Sequence, residues 1–250
     1  MNKTIDIKDL SLIYQTKDKE VEAIKNITFS VENGEFIGIV GPSGCGKSTL
    51  LSVIAGLIKP TSGKITLSEN INSTGYMLQK DYLFPWRTIY QNVLLGLEIK
   101  KAKTKENINN IEHLLKTYGL WDFRNSYPDE ISGGMRQRCA LIRTLATNPD
   151  ILLLDEAFSA LDYQTRIAVA DDIYSIIKKE KKTVLMVTHD IAECISLADR
   201  VIVLSSRPSV VKSEYTLKFS NPELSPLQKR DSEEFPHYFN MIWRDIDVHF

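Results

Sequence analysis

Cysteine is scarce in this sequence, and the three present, Cys45, Cys139 and Cys194, are odd in number and lack CxxC spacing. That removes a disulfide framework and a cysteine-bound zinc as organising features, and leaves buried thiols as the expectation. Net charge is also missing: 31 Lys and Arg stand against 32 Asp and Glu, for −1 at pH 7. A chain dedicated to nucleic acid would normally carry a basic excess or stripe, so that class of partner is not expected. No stretch approaches the about 18 uninterrupted apolar residues of a membrane helix. The opening MNKTIDIKDL turns charged at once where a secretory signal would be apolar, so a cytoplasmic chain is the expectation. Internal repeats and low-complexity linkers are absent too, and 250 residues fit one domain carrying a smaller lobe.

What is present is strongly patterned. Phe36 to Val40, Ile151 to Leu154 and Val184 to Val187 are apolar at consecutive positions, as parallel strands covered on both faces are. Polar residues follow each run: Gly41 onward, Asp155-Glu156, and Thr188-His189-Asp190. Ligands of open α/β sheets sit outside the carboxyl ends of strands, so the three tails are expected on one rim. Ile5 to Tyr14 and Val21 to Val31 alternate as antiparallel strands around the charged turn Lys17-Asp18-Lys19-Glu20, forming a side sheet. From about Thr88 to Ala146 the period becomes helical, as in Ile108, Ile111, Leu114, Leu115 and Tyr118 before Gly119, which reads as an inserted helical lobe. Val210 to Phe219 reads as a further strand. Phe235, Tyr238, Phe239 and Ile242 then fall at helical spacing and are expected to pack on the chain's own body.

Gly41-Pro42-Ser43-Gly44-Cys45-Gly46-Lys47-Ser48 fills the fixed positions of the P-loop between an expected strand and the helical run from Thr49. Glycines turn backbone N–H groups toward phosphates, and the helix N-terminus adds its dipole. In that pattern Lys47 faces the β and γ phosphates and Ser48 a Mg²⁺, so the expected ligand is a nucleoside triphosphate. Asp155 would reach the same metal if its strand neighbours the P-loop strand. Glu156, diverging from it, would polarise an attacking water. His189 is divided between a γ-phosphate contact and capping the next helix, with Thr188 and Asp190 as rival caps.

Ser132-Gly133-Gly134 opens another helix, with Ser132 as N-cap, and reads as a second phosphate cradle. One nucleotide needs one P-loop, so a second cradle is explained if it closes over the nucleotide of another copy.

Taken together these motifs resemble the ATP-binding subunits of ABC transporters, over the chain to about Pro208. In order, Tyr14 is similar to the adenine-stacking aromatic and Gly41 to Thr49 to Walker A. Gln79 matches the Q-loop glutamine, Ser132 to Gln137 the signature, and Asp155-Glu156 Walker B. Ser159-Ala160-Leu161-Asp162 resembles the D-loop and His189 the switch histidine. The resemblance implies ATP and Mg²⁺ as ligands, Glu156 as catalytic base, and Ser48, Gln79 and Asp155 about the metal. It further implies that Asp162 faces a partner copy and that Gln137 belongs to the signature's nucleotide surface. The implied fold is a P-loop α/β core of mainly parallel strands with a side sheet and helical lobe, spanning residues 1–219 with the lobe at about 88–146. Residues 220–250 form a C-terminal extension on the same domain.

Lys80 to Arg87 concentrates aromatics at the lobe's edge; each ring is expected to be local core, while the set resembles a docking groove. Leu83-Phe84-Pro85-Trp86-Arg87 and Asp199 to Pro208 resemble the nitrate, sulfonate and taurine importer branch. Ile131, Ala157 and Ser159 depart from its usual residues. That branch implies a homodimer at the cytoplasmic face of the cell membrane, bound to integral permease subunits and served indirectly by an extracytoplasmic solute-binding protein. A soluble ABC ATPase acting on DNA or the ribosome is the alternative. Against it, the interval between Walker A and signature holds no long coiled coil.

Overall fold

The computed structural model describes residues 3–15, 19–71, 73–159 and 162–246. Lys17 and Asp18 of the charged turn, and Ala160 and Leu161 of the D-loop segment, lie outside them.

Two long alternating strands, β1 (Lys3–Gln15) and β2 (Glu20–Glu32), pair antiparallel. The consecutive apolar run of β3 (Phe36–Val40) leads through the P-loop into α1 (Lys47–Ile54). Strand β4 (Ser62–Leu67) joins the far edge of β1, completing a side sheet in the order β2-β1-β4. The third strand has no alternation to announce it: only one of its six residues is even half-buried.

After β5 (Thr74–Met77) come the lobe helices α2 (Ile89–Ile99) and α3 (Lys105–Thr117), and then α4 (Gly133–Leu145). Each begins at a hydroxyl cap: Thr88, Thr104 and Ser132 accept from Gln91, Asn107 and Met135 N–H. Helix α3 stops where Gly119 takes φ 67°, the left-handed turn that glycine adopts without a Cβ penalty.

The rest alternates strand and helix: β6 (Ile151–Asp155), α5 (Tyr163–Glu180), β7 (Thr183–Val187), α6 (Ile191–Leu197) and β8 (Arg200–Leu204). Then follow β9 (Val211–Thr216), α7 (Pro226–Arg230) and α8 (Glu234–Ile246). The main sheet runs β5-β6-β7-β3-β8-β9, parallel except for β9 at its edge.

Because side chains alternate across a strand, each central strand feeds two cores. Ile37, Ile39, Leu153, Leu185, Val187 and Ile202 pack toward α1 and the side sheet. Phe36, Val40, Leu152, Leu154, Val184 and Met186 pack toward the lobe, α5, α6 and α8. Each such side chain contributes about 1.5–3 kcal/mol on leaving water. Phe235, Tyr238 and Phe239 lie against the second core and Ile242 is buried in it, so the stripe on α8 packs at home. All three thiols are free and buried.

Candidate functional site

Four neighbouring parallel strands, β5, β6, β7 and β3, each end at a residue of interest: Gln79, Asp155-Glu156, His189 and the P-loop. A cleft of 580 Å³ on that rim is lined by Ser43, Gly44, Gly46, Lys47, Ser48, Thr49, Gln79, Glu156 and His189. Its size falls within the range of small-molecule sites.

The loop from Gly41 to Gly46 is held by backbone geometry that side chains would disturb. Gly46, at φ 113°, caps α1, and a Cβ on Gly41 would come within 2.8 Å of the Leu204 carbonyl. Cys45 N–H donates to Pro42 O at 3.3 Å, and the buried Cys45 side chain faces the core rather than the cleft. Burial pushes its thiol above the ordinary range, so it stays protonated at neutral pH. Helix α1 begins at Lys47, two residues before the expected start. The Lys47 ammonium donates to Gly41 O at 2.8 Å and Pro42 O at 3.0 Å, so it lies folded over the loop.

Ser48 Oγ donates to Asp155 Oδ1 at 2.8 Å. The expected route to this contact was strand adjacency, and the structure corrects it: β7 stands between β6 and β3. The contact forms because α1 crosses the sheet face over β6 and β7 and brings Ser48 above Asp155. Burial raises the Asp155 carboxyl, the Ser48 bond opposes that, and Glu156 next door adds to it. A hydroxyl and a carboxylate this close, with few other protein ligands, suit a Mg²⁺ that keeps waters and phosphate oxygens. Tyr76, not singled out in the sequence, supports the pair: its hydroxyl lies 3.5 Å from Asp155 Oδ2 and 3.2 Å from Ser52 Oγ.

Glu156 leaves the strand by a left-handed turn, φ 47°, a conformation that costs a non-glycine residue about 1–2 kcal/mol. Its N–H donates to Val187 O at 2.9 Å, and Ser159 Oγ donates to its carbonyl at 2.9 Å, which holds the turn. The carboxylate is thereby aimed between two groups: Gln79 Nε2 donates to Oε2 at 2.7 Å, and His189 Nδ1 stands 3.3 Å from Oε1. The divergence of the two acids thus comes from this backbone turn more than from strand pleat.

His189 is released from capping. Asp190 caps α6, accepting from Glu193 N–H at 3.0 Å, while Thr188 Oγ1 accepts from Asp190 N–H. The imidazole remains 62% exposed and free to face the cleft.

Tyr14 sits at the margin, its hydroxyl 3.4 Å from Thr49 Oγ1. Asp162 caps α5, accepting from Thr165 N–H at 3.0 Å, and hydrogen bonding from the Thr165 side chain, then from its backbone, holds the exposed carboxyl below the ordinary range. Gln137 departs from expectation. It is 4% exposed, and its Nε2 donates to Ala157 O at 2.8 Å, so it faces the chain's own interior and ties α4 to the segment after Glu156.

Ser132, Gly133 and Gly134 do not line the 580 Å³ cleft. The segment after Gln79 is nonetheless bolted to their helix. Arg136 Nε meets Asp81 Oδ2 at 3.1 Å, and the Arg143 guanidinium donates to Asp81 O at 2.6 Å and Tyr82 O at 2.8 Å. Beside it, Tyr82 and Trp86 are 58% and 69% exposed, against the expectation that each ring would be local core. Trp86 lies against Phe84 in a tilted pair with ring centroids 4.9 Å apart, and the loop beneath is fixed by buried Asn92, which bonds Phe84 N–H and O, Arg87 O and Thr88 O.

The family model described as ABC transporter matches residues 24–159. The chain is 41% identical over 243 residues to the nitrate import ATP-binding protein NrtD of Synechocystis, covering 93% of this chain and 91% of that one. It is 38% identical over 248 residues to the taurine import ATP-binding protein TauB of Pelagibacter ubique, covering 94% and 93%. Among solved structures, the dimeric post-hydrolysis state of the ATP-binding cassette MJ0796 bound to ADP and Pi superposes with a TM-score of 0.76. It is 31% identical, with 86% of this chain and 99% of that one covered.

Proposed function

This chain belongs to the ABC transporter family of ATP-binding proteins, and from that premise we propose that two copies close around two ATP molecules to drive a membrane importer. The observation that carries the dimer is the separation of the two phosphate-type features. Lys47, Ser48, Gln79, Glu156 and His189 share one cleft, while Ser132-Gly133-Gly134 lies outside it. A twofold pair puts each cradle over the other copy's nucleotide and completes two equal sites at once.

In each site Tyr14 stacks the base, the P-loop amides and Lys47 take the phosphates, and Ser48 and Asp155 would hold a Mg²⁺. That ion, when bound, supplies positive charge to the phosphate oxygens. Glu156 accepts a proton from the attacking water, Gln79 orients its carboxylate, and His189 donates toward the γ-phosphate. Asp162 faces the partner copy. Exposed Tyr82 and Trp86, braced by Asn92, offer the integral subunits a preformed aromatic surface. Closure is passed to that surface through the Arg136 and Arg143 bonds to the Gln79 segment. Relatives named for nitrate and taurine import support an importer reading, in which this chain works at the cytoplasmic face while membrane and extracytoplasmic partners choose the solute.

Two measurements test this. Glu156→Gln should still bind ATP while hydrolysing it about 10²–10⁴-fold more slowly, the usual contribution of a positioned base. Rapid turnover by that variant would remove the assignment of Glu156. Purification from native membranes should bring integral subunits with the chain; recovery of DNA or ribosomes in their place would overturn the importer reading.

A further inference from the structure

Behind His189 the chain closes a ring of hydrogen bonds that the phosphate chemistry does not use. Thr188 Oγ1 donates to Glu193 Oε2 at 2.6 Å and accepts from Asp190 N–H at 3.0 Å. Asp190 Oδ1 accepts from Glu193 N–H at 3.0 Å, and its Oδ2 meets Arg166 Nη1 of α5 at 3.3 Å. Thr188 and Glu193 are 2% and 4% exposed. His189 is thus flanked on both sides by anchored residues, while its own ring stays in the open, facing Glu156.

A carboxyl on the inner face of α6, among Ile191, Cys194, Ile195 and Leu197, is costly to bury. An apolar residue would fill the place with less penalty, so packing alone does not account for it. What Glu193 supplies is a fixed acceptor, 2.6 Å away, for the Thr188 hydroxyl, whose oxygen also accepts from Asp190 N–H.

We propose that Glu193 is a positioning residue for ATP hydrolysis, fixing Thr188 and so the backbone from which His189 reaches Glu156 and the γ-phosphate. This rests on the reading of His189 given above. The inference also gives the C-terminal extension a link to the site: Arg230 of α7 donates to Ser196 Oγ on the same helix at 3.0 Å.

The charged groups bearing on Glu193 are Asp190 on its own helix, Arg166 from α5 and Arg230 from α7. Burial pushes its carboxyl up to about 7; the Thr188 bond opposes this, Asp190 adds to it, and the two arginines lower it. An ionised carboxylate accepts the stronger bond. Turnover by the wild type should therefore gain a rising limb as pH passes about 7, where Glu193 ionises.

Steady-state hydrolysis by the full chain, with ATP binding measured in parallel, decides the matter. Glu193→Ala and Thr188→Val should each lower kcat about tenfold, the effect of losing about 1.4 kcal/mol, with KM nearly unchanged. Glu193→Gln keeps an acceptor for Thr188 and should hold the acid-side rate at every pH, without the rising limb. In a His189→Ala background, Glu193→Ala should cost nothing further, because one contact cannot be lost twice. Wild-type kcat in Thr188→Val, a pH limb retained in Glu193→Gln, or losses that multiply in the double variant would each overturn the proposal. Should Glu193→Ala fail to fold, the first two of these still decide. Full activity in His189→Ala would instead remove the reading beneath it.

Discussion

Lys229 is 5% exposed, with its ammonium 3.3 Å from the Tyr174 hydroxyl and over the Tyr174 and Phe219 rings at 4.7 and 5.3 Å. Burial lowers it from the usual 10.5 to about 8, with Asp199 opposing the shift and Lys178 adding to it. Below about pH 8 both folded and unfolded chains carry the proton, and the folded state bears the whole desolvation penalty. Between about 8 and 10.5 the folded state releases the proton first, so stability rises with pH across that window. Lys229→Met, similar in length, should therefore raise the melting temperature at pH 7, with the gain shrinking above pH 8. The net gain is about 1 kcal/mol, because removing the penalty also removes a cation–π contact and a hydrogen bond. A second test lies at Gly38, where a Cβ would fall 2.1 Å from Cys194 Sγ. Gly38→Ala should cost about 1–3 kcal/mol by overpacking, and Cys194→Ala in the same chain should recover most of it, read by thermal unfolding. Legibility at this scale followed chemistry. Lys47, Ser48, Asp155 and Glu156 stand in fixed spacings that phosphate chemistry demands. Tyr76, Asp81, Arg136 and Glu193 act through partners 5 to 79 positions away, and no local pattern marks them.

Among the elements, β3, β6 and β7 were readable because burial on both faces leaves consecutive apolar residues. Strand β8 carries the same signal in Val201 to Leu204 and could have been read by it. Strand β5 could not, since Thr-Gly-Tyr-Met has neither run nor alternation and is placed by pairing with β6. Order within the sheet was likewise hidden: nothing in the sequence puts β7 between β6 and β3. The cap of α4 was legible, and it allows a test that separates folding from function. Ser132 Oγ accepts from Met135 N–H at 3.3 Å. Ser132→Ala should cost about 1 kcal/mol of stability from the lost cap. Ser132→Asp keeps a good cap and a favourable charge at the helix N-terminus, so its melting temperature should match the wild type. That same charge would repel a triphosphate, so its hydrolysis should be lost. If Ser132→Asp hydrolyses ATP normally, this helix end has no nucleotide to meet.

The relation between copies decides whether the whole molecule works as proposed, and two defective variants used together can reveal it. Lys47→Ala breaks the phosphate loop and Ser132→Asp breaks the opposite cradle, so a dimer of either variant alone has a defect in both sites. In a mixed dimer the Ser132→Asp copy still supplies an intact Lys47 and the Lys47→Ala copy an intact Ser132. One site is then whole and the other carries both lesions. If the copies mix at random, half of the dimers are mixed, and about a quarter of all sites are whole. ATPase activity of the mixture should accordingly rise above the sum of the two variants measured apart, toward about that fraction of the wild-type rate. If Ser132 served the nucleotide bound by its own chain, every site in the mixture would stay broken and mixing would recover nothing. The experiment thus turns the placement of Ser132 outside the cleft of Lys47 and Glu156 into a count of intact sites.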